Sequence, residues 1–170
     1  TTFPQNIGLG CANDPELIKQ INYATAVEVA ATGLHWTFAP CITIPKDDRW
    51  GRQYEGFSES SELVTNLTAS AIKGYEEALP ALGGKKIAAC AKHFIGDGGT
   101  TWDSGTLQEG MHKYQLDRGD TKITEKELRE VHLPPYLEAI KAGVKTIMIS
   151  FNSWNGIKCH GNKFLVNDLL

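Results

Sequence analysis

The sequence contains no long hydrophobic run and no cluster of basic residues. None of its apolar stretches approaches the roughly 20 residues that a helix needs to cross a bilayer, which predicts no membrane partner. The net charge is −3 without a basic patch, so a nucleic-acid partner is not expected. With 170 residues, 41% of them hydrophobic, the chain has enough apolar side chains for one domain with a sizeable core.

Redox, metal and targeting patterns are absent as well. The cysteines include no C-x-x-C pair, which indicates neither a zinc site nor a redox motif, and Cys90 lies in an apolar run that favours a buried thiol. The histidines outside the Lys92-His93 pair show no ligand spacing, so we expect no metal; they are His35, His112, His132 and His160. The amino-terminal residues show no charged segment followed by an apolar one, so the residues themselves leave the compartment open.

Capping signals and glycines divide the chain into alternating helices and strands. Asp14-Pro15-Glu16 supplies a cap, an N1 proline and an acidic first turn, Ser58 can cap a second helix, and Thr124 to Glu127 form a capping box. The helices are expected from Asp14 to near Gly33, from Ser58 to Pro80 or Gly83-Gly84, and from Thr124 to Gly143 with an interruption at Pro134-Pro135. The strands are expected at 34–39, 86–92 and 144–150.

Strands that are apolar on nearly every residue and separated by helices predict a parallel sheet covered on both faces, hence the α/β class. The residues in excess of a bare βα unit lie after the strands, in 40–57 and 94–123, where such folds keep their chemistry. The segment 162–170 begins a helix and then stops, and three strands cannot close a barrel of about 250 residues. We therefore expect the chain to be a piece of a larger domain.

Charged and aromatic residues follow each predicted strand. The most informative segment is Lys92-His93-Phe94, which stands directly before the glycine-rich turn 95–99. A charged pair at the carboxyl end of a buried strand is typical of a ligand site in an α/β protein. An unrelated α/β domain that binds an anion near Gly98-Gly99 is an alternative, although no G-x-x-x-x-G-K-[ST] run indicates a nucleotide.

Three segments together resemble glycoside hydrolase family 3, in particular its β-glucosidase and β-glucan exohydrolase branch. They are Arg49 to Glu59 (RWGRQYEGFSE), Ala91 to Thr100 (AKHFIGDGGT) and Met148 to Gly156 (MISFNSWNG), with additional similarity at Phe3 to Gly10 and Phe38 to Pro40. The resemblance implies that residues 1–170 are an internal fragment of the N-terminal barrel domain. That fragment would form about three βα units of a TIM-type (β/α)8 barrel, and the second domain would be absent.

The activity implied by the resemblance is that of a retaining, exo-acting β-glucosidase. It would remove glucose from the non-reducing ends of β-glucosides or β-glucans and use no cofactor. The parent protein would be secreted or periplasmic. Partners implied in the same way are a β-linked glucoside or oligosaccharide and the missing remainder of the barrel with its second domain.

The resemblance also implies roles for individual residues. Arg52, Lys92 and His93 would donate hydrogen bonds to sugar hydroxyls, and Phe151 would lie beside them, although the β-glucan exohydrolases commonly have tyrosine there. Taken alone, Arg52 could equally be a structural partner of Glu55 or Glu59. Trp154 could be either a pocket wall or part of the core.

The catalytic residues of the family are not matched in this chain. The nucleophile aspartate of a Ser-Asp-Trp-like segment, the acid/base from a second domain and a sugar-binding Asp-x-x-His-Gly-like segment have no counterpart, so we assign no catalytic residue. A catalytically incomplete carbohydrate-binding remnant is therefore an alternative. A β-N-acetylglucosaminidase is disfavoured, because the comparable loop, Asp97 to Gly105 (DGGTTWDSG), has glycine where that branch carries the histidine of an Asp-x-His dyad. The loop 106–120 looks longer than usual and is expected to border the pocket entrance.

Overall fold

The computed structural model of the chain describes residues 2–105 and 114–170. Its helices are α1 (Asn6–Ala12), α2 (Pro15–Ala31), α3 (Ser61–Glu76), α4 (Glu125–Glu127) and α5 (Pro134–Lys141). Its strands are β1 (Cys90–Phe94), β2 (Asp120–Thr121), β3 (Thr146–Ile149), β4 (Ser153–Trp154) and β5 (Ile157–Lys158). Short 3-10 or π segments lie at Gln53–Glu55, Pro80–Leu82, Asp97–Gly99, Leu128–His132, Cys159–Gly161 and Phe164–Leu169. Of the long loop, residues 106–113, with His112, lie outside the described part.

Two of the three predicted helix starts are confirmed. The Asp14 carboxylate accepts the backbone N–H groups of Glu16 and Leu17, and Thr124 and Glu127 form the reciprocal capping box. The prediction for α3 was wrong by two residues: Ser60 caps this helix by accepting the N–H of Leu63, while Ser58 accepts the N–H of Ser60. Both serines satisfy the requirement of a side-chain acceptor, and only the backbone path decides which one stands at the cap.

The predicted interruption of the third helix is also confirmed. Between α4 and α5 the chain forms a π segment at Leu128–His132, and α5 begins at Pro134. A proline cannot donate an N–H to the preceding turn, so the helix restarts there instead of continuing. The π segment brings His132 into the interior, where it is 4% exposed.

The central sheet is parallel. Strand β1 pairs with β3, and residues 35–42 run beside the other edge of β1 through the bridges Trp36 to Ala88 and Cys41 to Lys92. The predicted strand at 34–39 is therefore an extended segment without a regular ladder, because the pairing slips by one residue between the two bridges. A second small sheet has the order β2, β4, β5. The chain is thus a mixed helix and sheet structure with parallel pairing.

The core lies between this sheet and the helices. Helices α2 and α3 approach so closely that a Cβ at Gly74 would lie 2.5 Å from the carbonyl oxygen of Lys19. Strand β1 is buried at every position except the half-buried Lys92, β3 is half-buried throughout, and Leu34, Trp36 and Phe38 are 58%, 48% and 55% exposed. The expectation of a sheet covered on both faces therefore holds for β1 and is not met along the segment 34–38, whose alternate side chains share one exposed face. None of the described helices has both the length and the apolar character that a bilayer crossing requires.

Candidate active site

Polar side chains meet at the carboxyl end of β1. Lys92 and His93 stand in the last residues of this strand, and the 3-10 turn Asp97–Gly99 follows within a few residues. Arg52 comes from the loop 40–57, which continues the extended segment beside β1. Parallel neighbours end at the same edge of a sheet, so Arg52 reaches His93 although 41 residues separate them in the chain.

Arg52 is held by Glu55. Its Nε lies 2.7 Å from Glu55 Oε1 and its Nη2 lies 3.0 Å from Oε2, which is a bidentate arrangement. The hydrogen bonds from Arg52 hold the pKa of Glu55 below its usual range, and those from Glu55 raise the pKa of Arg52. The geometry therefore shows the structural pairing of Arg52 with Glu55. Arg52 also makes a second contact, to His93.

Lys92 shares the same carboxylate. Its Nζ lies 3.7 Å from Glu55 Oε2, and the two side chains are 18% and 22% exposed. Two cationic groups thus lie around one acidic group at the strand end. Such a set has more donors than its own acceptor can satisfy, which suits a ligand rich in hydroxyl oxygens.

His93 is contacted at both ring nitrogens. Its Nε2 lies 2.9 Å from Arg52 Nη2, and its Nδ1 lies 2.8 Å from Asp97 Oδ2. A guanidinium can only donate, so Nε2 accepts and the ring proton is on Nδ1, where it is donated to Asp97. The resemblance implied a donor at His93, whereas in this structure the nitrogen that faces Arg52 is an acceptor.

Asp97 and Thr43 complete the cluster. Thr43 Oγ1 donates to Asp97 Oδ1 at 2.8 Å and accepts the backbone N–H of His93 at 3.3 Å. Thr43 is 3% exposed and Asp97 is 7% exposed. Neither Thr43 nor Asp97 was among the residues predicted for the site. A carboxylate four residues after a histidine, across a glycine turn, was the signal that could have identified Asp97.

Phe151 belongs to a neighbouring aromatic cluster. It follows β3, is 57% exposed, and stacks on His160 with ring centroids 5.4 Å apart. Lys158 Nζ and Arg118 Cζ lie 5.1 Å and 5.5 Å from the Phe151 ring centroid. Phe151 therefore presents an open aromatic surface flanked by cations.

Trp154 packs against the core, which was one of the two alternatives left open. Its Nε1 donates to the carbonyl oxygen of Ile123 at 3.0 Å, and its ring stacks on Phe164 at 6.0 Å. The structure thus brings together Arg52, Lys92 and His93 and gives Trp154 a packing role.

An exposed cation and aromatic pair lies on the same loops. Arg49 Cζ is 3.9 Å from the centroid of the Trp102 ring, and Arg49 also pairs with Asp47. The hydrogen bonds from Arg49 lower the pKa of Asp47 to about 2. Within residues 2–105 and 114–170, no group of three or more potential metal ligands is found.

Parallel strands with converging polar groups at their carboxyl ends define the class of α/β domains that bind ligands at this edge of the sheet. Within that class the chain belongs to glycosyl hydrolase family 3. The family profile described as "Glycosyl hydrolase family 3 N terminal domain" matches residues 1–170.

Individual relatives support the same family. The chain is 31% identical to a beta-xylosidase of Formosa agariphila over 173 residues, covering 100% of this chain and 22% of that protein. It is 28% identical to a periplasmic beta-glucosidase of Salmonella typhimurium, covering 100% of this chain and 20% of that protein. The chain therefore spans about a fifth of the length of these relatives.

Solved structures show the same fold. An exo-1,3/1,4-beta-glucanase from a Pseudoalteromonas species superposes with a TM-score of 0.86 at 47% identity, covering 100% of this chain and 20% of that one. A mutant beta-glucosidase from Listeria innocua in complex with laminaribiose has a TM-score of 0.84 at 32% identity, covering 99% and 22%.

Proposed function

We propose that the protein to which this chain belongs hydrolyses β-linked glucose from the non-reducing ends of β-glucosides or β-glucans, with retention. The observation that carries the proposal is the convergence of Arg52, Lys92 and His93 at the carboxyl end of β1. Arg52 Nη2 lies 2.9 Å from His93 Nε2, and Lys92 Nζ lies 3.7 Å from Oε2 of Glu55, the carboxylate that also pairs with Arg52. Relatives named as β-glucosidases and an exo-1,3/1,4-beta-glucanase support glucose as the sugar.

The chemistry of the cluster agrees with this role. A glucosyl ring offers only hydroxyl groups to bind, and charged nitrogen donors form the stronger hydrogen bonds to such oxygens. When the ring distorts toward an oxocarbenium-like transition state, hydrogen bonds that strengthen there lower the barrier. Arg52 and Lys92 would thus serve both binding and catalysis, with no cofactor required.

We assign no catalytic carboxylate to this chain. Retention needs a nucleophile and an acid/base whose carboxyl groups are roughly 5 Å apart. Glu55 is engaged by Arg52 and Lys92, and Asp97 is engaged by His93 and Thr43. We propose that both catalytic groups lie elsewhere in the parent, and that residues 1–170 supply about three βα units of its N-terminal barrel.

Amino-sugar hydrolysis is not favoured as an alternative. The loop Asp97 to Gly105 has glycine where that branch carries the histidine of its Asp-x-His dyad. One relative carries the name periplasmic beta-glucosidase, which supports a secreted or periplasmic location for the parent.

The test is turnover by the full-length parent on the p-nitrophenyl β-glucoside, with the β-xyloside and the β-N-acetylglucosaminide as controls. Preferred release from the glucoside, with retention measured by NMR of the first-formed sugar, is the expected result. Preference for the xyloside would identify xylose instead of glucose as the sugar that is released. No turnover by a folded parent that still binds glucose would favour the carbohydrate-binding remnant.

A further inference from the structure

The protonation of the His93 ring is determined by its two neighbours. Arg52 Nη2 can only donate, so at 2.9 Å it requires an acceptor at Nε2. The ring proton then lies on Nδ1, which is 2.8 Å from Asp97 Oδ2. If the proton were on Nε2 instead, two N–H groups would face each other between His93 and Arg52. The orientation of the Arg52 guanidinium toward His93 thus depends on the tautomer that Asp97 selects.

Asp97 is itself held by a closed set of hydrogen bonds. Thr43 Oγ1 donates to Asp97 Oδ1 at 2.8 Å and accepts the backbone N–H of His93 at 3.3 Å. These hydrogen bonds therefore form a closed cycle, which runs from the backbone N–H of His93 through Thr43 and Asp97 to the ring of His93. Each member is buried, with at most 8% of its surface exposed.

The two backbone segments that carry Thr43 and Asp97 are in direct contact. The N–H of Lys46 donates to the carbonyl oxygen of Gly98 at 2.8 Å, and a Cβ at Gly98 would lie 2.4 Å from the carbonyl oxygen of Ile44. Only a residue without a side chain permits this approach. The glycine turn after β1 thus serves to bring Asp97 against Thr43.

The groups around Asp97 offer it no competing cation. Among the described residues, His93 is the basic side chain found within 4.0 Å of the Asp97 carboxylate. Burial lowers the pKa of His132 to about 4 and raises the pKa of the Cys41 and Cys159 thiols to about 11, so these neighbours are neutral near pH 7. The carboxylate of Asp97 is therefore directed at the His93 ring.

We propose that Asp97 is a positioning residue of the sugar pocket, which keeps His93 in the Nδ1–H tautomer and thereby orients Arg52, and that Thr43 holds Asp97 in place. Asp97 acts through His93 and does not touch the sugar. The proposal rests on the function proposed above, because the effect is read through Arg52 and His93 in that pocket.

The experiment is a double-mutant cycle in the full-length parent, measured as kcat/KM on the p-nitrophenyl β-glucoside. Asp97→Asn retains the shape of the side chain, but its amide can donate to Nδ1 and so favour the wrong tautomer. We expect kcat/KM to fall roughly 10- to 100-fold, the usual effect of removing the partner that orients a functional histidine. In a His93→Ala background, Asp97→Asn should cause no further loss, because the residue through which it acts is gone.

A matched pair of threonine variants separates positioning from general stability. Thr43→Val and Thr68→Val make the same change at two buried sites, but Thr68 bonds to the carbonyl oxygen of Val64 within α3. Both should lower the melting temperature similarly, and only Thr43→Val should lower kcat/KM.

The outcomes distinguish the two proposals. If the parent is active and Asp97→Asn keeps the wild-type kcat/KM, or if the losses of Asp97→Asn and His93→Ala multiply, the positioning role is wrong while the glucosidase stands. If the parent shows no turnover, the glucosidase proposal fails and the same variants are compared by calorimetry of glucose binding. Weaker binding by Asp97→Asn would then support positioning, whereas unchanged affinity or no binding by any variant would overturn it.

Discussion

The two ends of the parallel sheet contain similar residue types with different surroundings. At the carboxyl end, His93 and Asp97 are buried, and directed contacts link them to the half-buried side chains of Arg52, Lys92 and Glu55. At the amino end, a cavity of about 550 Å³ is lined by charged side chains that are mostly exposed. They are Lys19, His35, Lys73, Glu76, Glu77, Lys86 and Lys145.

The charged groups at the two ends have different roles. At the amino end, Glu76 Oε1 accepts the N–H groups of Ala89 and Lys145 at 3.0 Å each and so joins the starts of two neighbouring strands. The carboxyl-terminal ends of α3 and α5 also lie here, and the positive charge of the nearby lysines complements the partial negative charge of these helix ends. Similar side chains therefore support the fold at one end and form a candidate binding site at the other.

The strongest test of this comparison removes one cation from each end. Arg52→Ala deletes the donor that contacts both Glu55 and His93, and we expect kcat/KM of the parent on the β-glucoside to fall by about 100- to 1,000-fold. Lys73→Ala, an exposed lysine of the amino-end cavity, should leave kcat/KM unchanged. Equal losses in the two variants would show that the ends do not differ in function.

The second test compares one histidine at each end by pH. Burial lowers the pKa of His132 from 6.5 to about 4, so below pH 6.5 the unfolded chain binds a proton that the folded chain does not. This contribution to stability is present above pH 6.5 and is lost as pH falls toward 4, by about 3 kcal/mol in total. Denaturant unfolding of the parent should show that the free energy of unfolding falls less between pH 7 and pH 5 in His132→Gln than in the wild type. His35 is exposed, so His35→Gln should lose as much free energy of unfolding between pH 7 and pH 5 as the wild type. An equally large loss in His132→Gln would contradict the role given to His132.

The third test concerns the structural role of the amino end. Glu76→Ala leaves the N–H groups of Ala89 and Lys145 without their acceptor, which should lower the free energy of unfolding by about 1–3 kcal/mol. Glu77→Ala removes an exposed pair with Lys19 and should lower the free energy of unfolding far less, because solvent screens this pair. Melting curves measure both, and kcat/KM of the folded protein should be retained in each. A large loss of activity in Glu76→Ala without loss of stability would reverse the interpretation.

The smallest effect is expected at an exposed pair on the carboxyl side. Arg49→Gln should return the pKa of Asp47 from about 2 toward its ordinary 3.8. A lowered carboxyl pKa stabilises the folded state above the unfolded pKa and less as pH falls, but solvent screens this pair. We therefore expect no measurable shift in melting temperature between pH 7 and pH 4, and little change in kcat/KM. A tenfold loss of activity would instead place Arg49 and Trp102 in the substrate site.

Local signals were read correctly where a few neighbouring residues decide the outcome. The cap at Asp14, the capping box at Thr124 and the break before Pro134 depend on backbone groups within four residues. The α3 cap was assigned to Ser58 instead of Ser60, because two serines offer the same acceptor at different points of one turn. The segment 34–39 was predicted as a strand, and a one-residue slip in its pairing with the segment 88–92 leaves it with one isolated bridge, from Trp36 to Ala88.

The apolar strands between helices were sufficient for a mixed helix and sheet structure with parallel pairing. The motifs along the chain were sufficient for the family, and the resemblance that they carry implied a shared pocket for Arg52, Lys92 and His93. Which partners these side chains take was decided only in three dimensions. Thr43 and Asp97 are 54 residues apart, and Arg52 and His93 are 41 residues apart, so their hydrogen bonds depend on how the loops fold against each other. The tautomer of His93 follows from those contacts, because a proton on an imidazole is placed by the atoms that face its two nitrogens.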